Sequence, residues 1–88
     1  MTTAKDVAQW MFDEVNRRSA LDQETAAHQI RMKFGKEFTY ENENGNWAIN
    51  KAVLAAFRKL SGDSVVWELR YREWRKRQSS DNAGRQQD

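Results

Sequence analysis

Apolar residues in this chain fall into three stripes with helical spacing and one short block whose period is ambiguous. Val7, Trp10, Met11 and Val15 recur at three- and four-residue steps, with Lys5, Asp13, Asn16 and Arg17 elsewhere around the wheel. Thr3 and Asp6 precede that stripe at capping-box spacing, Asp standing in for the usual Glu or Gln. The pattern predicts a first helix over 4–18. Phe12 lies off the stripe and is expected to meet a second element or a second subunit. A second cap falls within Ser19–Asp22, and Ala26, Ala27, Ile30 and Phe34 form the next stripe, closed by Gly35. This predicts a second helix over about 22–34, its small Ala26–Ala27 pair allowing close packing on the first. Ile49, Val53, Ala56, Phe57 and Leu60 make the third stripe, capped by Asn46 or Asn50 and ending near Ser61-Gly62.

Three stretches fall outside these stripes. Lys36 to Tyr40 alternates briefly, with Phe38 and Tyr40 on one side, and reads as a short strand. Glu41-Asn-Glu-Asn-Gly-Asn46 is the clearest break in the chain, with Asn44-Gly45 as its turn signal. The segment 64–77 has two readings. As a helix it aligns Trp67, Tyr71 and Trp74 and sets Glu68–Arg72 and Glu73–Arg77 four residues apart. As a strand pair it turns near Arg70-Tyr71, bringing Trp67 opposite Trp74 and Glu68 opposite Glu73. The two glutamates then need a cation, and Arg70 and Arg72 are the candidates. The turn has no Gly or Asn, which disfavours the pair, whereas Val65-Val66-Trp67 favours strand.

Eighty-eight residues make one domain, with little area to bury. The mean hydropathy is −1.01, yet there are four Trp, four Phe and two Tyr, so a few large side chains must build the core. With no cysteine and no metal-ligand cluster to brace it, self-association is the natural source of further buried area, and a homo-oligomer is expected. No apolar run approaches about 18 residues and no signal-peptide core opens the chain, so a soluble cytoplasmic protein without a membrane partner is expected. Residues 78–88 carry almost no apolar side chain and are expected as a disordered tail on a domain of residues 1–77.

Charge is local. Residues 1–63 carry nine basic and nine acidic side chains, and residues 64–88 carry six and four, so the whole net charge of +2 arises in the last segment. No catalytic, metal or cofactor constellation stands out. His28 is the single histidine and has no nucleophilic partner in the pattern. Glu41 and Glu43 lack the order of a calcium loop, and the glycines are isolated, which excludes a phosphate cradle.

Several passages resemble a small bacterial family of uncharacterised proteins. They are Ala4-Lys-Asp-Val-Ala-Gln-Trp-Met11, the run from Lys33 to Asn46, Val53-Leu54, Phe57-Arg-Lys-Leu60, Val65-Val-Trp67, Trp74-Arg-Lys-Arg77 and Gly84-Arg-Gln86. The resemblance carries no activity. It implies a hairpin between the two tryptophans, because similar proteins have a glycine near that tip, where this chain has Leu69-Arg-Tyr-Arg72. The expected fold class is therefore α+β, three helices followed by a β-hairpin in winged-helix order. The alternative is an all-α fold with a fourth helix over 64–77.

The expected function is that of a non-enzymatic binding or assembly module acting through protein–protein contacts. Phe12, Trp47, Tyr71 and Trp74 are its candidate interface, with Arg interleaved among the aromatics. The alternative is DNA binding. The third helix would offer Asn50 and Lys51 to base edges and Arg58 and Lys59 to phosphates, and a basic wing would add Arg70, Arg72, Arg75 and Arg77.

Overall fold

Each of the three helices begins at a side-chain cap and ends at a residue of positive φ. In the computed structural model, which describes residues 1–81 and 83–87, α1 spans Ala4–Arg18, α2 Gln23–Phe34 and α3 Lys51–Ser61. The Thr3 hydroxyl accepts from the Asp6 N–H at 3.2 Å while the Asp6 carboxylate accepts from the Thr3 N–H at 2.9 Å, a closed capping box. Asp22 accepts from the Thr25 N–H, and Asn50 from the Ala52 N–H. The stops are Ser19 (φ 71°), Gly35 (φ 117°) and Gly62 (φ 53°).

Six strands are described: β1 (Ala20–Asp22), β2 (Thr39–Glu41), β3 (Trp47–Ile49), β4 (Val65–Glu68), β5 (Glu73–Lys76) and β6 (Gln86–Gln87). They form a four-stranded sheet in the order β1-β5-β4-β6 and a two-stranded sheet of β2 and β3. All pairs are antiparallel except β4 with β6, which is parallel. The core lies where α1 crosses α3 and both meet the larger sheet. Val7, Met11 and Val15 pack there with Ile30, Ile49, Val53, Phe57, Val65 and Trp74. The Trp74 ring stands edge-on to Phe57 at 5.5 Å and against Trp67 at 4.9 Å.

The expectation of three helices followed by a single hairpin is overturned, although the structure is α+β. A strand precedes α2, a second small sheet separates α2 from α3, and a late strand extends the larger sheet. The physical reason is that the β4–β5 hairpin has two open edges. The chain supplies β1, with Leu21 in the core, to one edge and β6 to the other. The all-α alternative also falls, since residues 65–68 and 73–76 are paired strands.

Two boundaries differ from the sequence reading. Residues 36–38 form a 3-10 turn, and the strand that follows exposes Tyr40 and buries Thr39. Ile49 belongs to β3 rather than to the third helix, which starts after the Asn50 cap. Within the segment expected as a disordered tail, residues 78–81 make a turn and 86–87 make β6; Asn82 and Asp88 of that segment lie outside the described residues.

Candidate interaction surface

Two chain reversals carry exposed apolar side chains and meet across a shared cleft. The turn between β4 and β5 runs through Leu69–Arg72, closed by an Arg72 N–H to Leu69 carbonyl bond of 3.3 Å. Arg72 sits at φ 52°, the left-handed position that glycine usually fills. Leu69 and Tyr71 project from this tip, 48% and 62% exposed. The tip is held in place from α2: the Gln23 N–H donates to the Arg72 carbonyl at 2.9 Å, and the Arg72 guanidinium donates to Gln23 Oε1 at 3.3 Å.

The second reversal is the Asn-rich turn between β2 and β3. Asn42 Oδ1 accepts from the N–H groups of Asn44 and Asn46, both at 3.0 Å, and Gly45 takes φ 79°. Trp47, next along the chain, is 39% exposed. The Arg31 guanidinium lies 3.8 Å from its ring centroid. Among the described residues the buried Arg31 Nε has no hydrogen-bond partner, so the ring face is the contact that offsets its desolvation. Between the two reversals lies a cleft of about 270 Å³, lined by Gln23, Asn42, Asn44, Asn46, Trp47 and Arg72 among others. Amide groups, one indole, the Glu24 carboxylate and the Arg72 guanidinium wall this cleft, and Tyr71 and Leu69 adjoin it along the chain. Such a surface suits polar recognition around an aromatic anchor.

The candidate interface residues therefore divide. Trp47 and Tyr71 are exposed at these reversals. Trp74 is not available: it is 6% exposed and stacked in the core. Phe12 is half-buried and packs against the core from α1, so the second element it meets lies within the chain. Leu69, Arg31 and the Asn42–Asn46 turn complete the surface and were missed as site residues. The sequence marked 41–46 only as a turn, and no spacing rule joins Arg31 to Trp47.

The candidate nucleic-acid residues divide too. Lys51, Arg58 and Lys59 are exposed on α3, whereas Asn50 is half-buried as the helix cap, its side chain also 3.4 Å from the Glu37 carbonyl. Arg70 is exposed at the tip and Arg72 is the exposed tether to Gln23. Arg75 and Arg77 turn inward. Arg75 bridges Glu68 at 2.8 Å and grips Asp81 through two bonds of 2.7 and 2.9 Å. The cation that offsets Glu68 is thus Arg75, not Arg70 or Arg72. The guanidinium of Arg75, with help from the Gln78 N–H, holds the Asp81 carboxyl down at about 2, against an ordinary 3.8. Arg77 donates to the carbonyls of Asp63 and Gly84.

A separate groove of about 420 Å³ runs beside β4, with Leu54, Trp67 and Trp74 on its floor and Arg58 and Arg85 on its rim. Arg85 reaches Ser61 Oγ and the Gly62 carbonyl, both at 3.1 Å, and lies 5.3 Å over the Phe57 ring. Burial, and then the charges of Arg58 and Arg77, push its pKa down. Among the described residues no group of three or more His, Cys, Asp or Glu is placed to hold a metal ion, and no helix is long and apolar enough to cross a membrane.

These features define a small α+β domain whose exposed aromatic residues collect at two adjoining turns. The chain belongs to the family of unknown function DUF6953, whose model matches residues 3–76. No curated protein and no solved structure matches it.

Proposed function

We propose that this chain is a non-enzymatic binding and assembly module, working in the cytoplasm through protein–protein contacts, and that it associates with a second copy of itself. The observation that carries the reading is the cleft shared by Trp47 and Arg72, adjoined by exposed Tyr71 and Leu69. Tyr and Trp anchors beside an Arg are the side chains that dominate contact energies. A domain this small also gains proportionally from extra buried area. Sedimentation velocity tests it. The unmodified protein at about 100 µM, well above the micromolar constants of ordinary transient pairs, sediments as a dimer or larger, and Trp47→Ser with Tyr71→Ser shifts it to monomer.

Nucleic-acid binding ranks second. It keeps Lys51, Arg58, Lys59, Arg70 and Arg72 as surface cations. It loses Arg75 and Arg77, half of the expected basic wing, to groups of the chain itself. Duplex binding whose affinity falls steeply with added salt would reverse this order.

A further inference from the structure

The groove beside β4 is lined by two arginines and no acid. Leu54, Phe57, Trp67 and Trp74 make its apolar wall, and Arg58 and Arg85 are the charged residues of the lining. Other arginines of the fold meet carboxylates: Arg75 bonds Glu68 and Asp81, and Arg17 and Arg18 share Glu14. Among the described residues Arg58 and Arg85 have no such ion pair. Arg85 bonds neutral oxygens, Ser61 Oγ and the Gly62 carbonyl at 3.1 Å and the Val65 carbonyl at 3.5 Å, and all three bonds use Nη1. Its Nε and Nη2 have no hydrogen-bond partner among the described residues. Burial, and then the charges of Arg58 and Arg77, already work against its protonation. The carbonyls at the end of α3 carry only partial charge and offset part of this. The groove therefore holds more positive charge than the fold neutralises.

We propose that this groove binds a small aromatic anion, a planar ring bearing a phosphate or carboxylate group. The ring lies against the half-buried Trp67 with Leu54 beside it. The anionic oxygens take the Nε and Nη2 donors of Arg85 and the exposed guanidinium of Arg58. A space of about 420 Å³ is the size of a small-molecule site. Both halves of the ligand are needed, the ring for the apolar wall and the anion for the charge that the arginines lack. The groove shares no lining residue with the cleft between Trp47 and Arg72, so this site stands or falls apart from the self-association surface.

The indole N–H signals of the four tryptophans, in a nitrogen–proton correlation spectrum, read the site. The protein is titrated with naphthyl phosphate and with naphthoate, and in parallel with inorganic phosphate and with neutral naphthol. At least one of the two aromatic anions moves the Trp67 and Trp74 signals to saturation with a Kd below about 1 mM and leaves Trp47 in place. The tighter of the two names the anionic group. Inorganic phosphate and naphthol, each lacking half of the ligand, bind at least about tenfold more weakly. Arg58→Gln alters an exposed side chain with no hydrogen bond or ion pair among the described residues, so the fold stays intact and the affinity falls by about threefold or more. No saturable shift from either aromatic anion overturns the proposal. So does naphthol that binds as tightly as the anions, inorganic phosphate that binds as tightly (an adventitious ion only), or an Arg58→Gln protein of unchanged affinity. Shifts centred on Trp47 also overturn it, assigning the ligand to the other cleft.

Discussion

The two hairpins of this molecule are built on opposite logics. β2–β3 has the turn a hairpin wants, Asn44-Gly45 with Gly45 at φ 79°, and strands of only three residues, with Tyr40 and Trp47 exposed. β4–β5 has a poor turn, closed by an arginine at φ 52°, and strands that bury Val65, Val66 and Trp74 and take a partner on each side. Turn chemistry makes the first hairpin, and burial makes the second. The difference shows that a chain reversal can be written in the turn or in what flanks it. The hairpin whose turn is well formed is free to spend its aromatic residue at the surface.

Substitutions that test each hairpin where it is strong separate the two most widely. Trp74→Ala removes a core ring packed on Phe57 and Trp67 and is expected to destabilise by about 3–5 kcal/mol. Trp47→Ala loses an exposed ring and one cation–π contact and is expected to cost about 1 kcal/mol or less. Denaturant unfolding of the two variants checks the contrast, and equal losses would break it.

The turns themselves should respond in the opposite sense. Gly45→Ala places a side chain at positive φ with no neighbour within 4 Å, so its cost is backbone strain alone, about 1–2 kcal/mol. Arg72→Gly relieves comparable strain but adds freedom to the unfolded chain, and the net change is expected within about 1 kcal/mol. Thermal midpoints of the two variants decide it.

The smallest effect concerns acid. Asp81 anchors the connection from β5 to β6 through Arg75, and its folded pKa of about 2 lies below the ordinary 3.8. Its contribution is therefore complete above 3.8 and is lost as pH falls from there towards about 2. An acid titration of stability should show this loss in the unmodified protein and a shallower one in Asp81→Asn.

Much of the fold could be read from residues whose effect is local. Thr3 with Asp6, Asp22, Asn50 and Gly35 all cap helices as their chemistry suggests. The register of Trp67 opposite Trp74 and Glu68 opposite Glu73 also follows from alternation about the turn. β1 and β6 were not legible, because segments of three and two residues have no period to detect. They are strands only because the hairpin offers them open edges. The same reason hid half of the surface. Trp47 and Tyr71 could be singled out as aromatics, but exposure is settled by tertiary contacts, which leave these two outside and take Trp74 and Phe12 in.

The most direct test of the account is the association state of the full chain with and without its exposed aromatic anchors. At about 100 µM the unmodified protein is expected to sediment as a dimer or larger, and the Trp47→Ser, Tyr71→Ser protein as a monomer of unchanged circular dichroism. A clean monomer before substitution, or an assembly that persists after it, would contradict the claim that these two reversals are its contact surface.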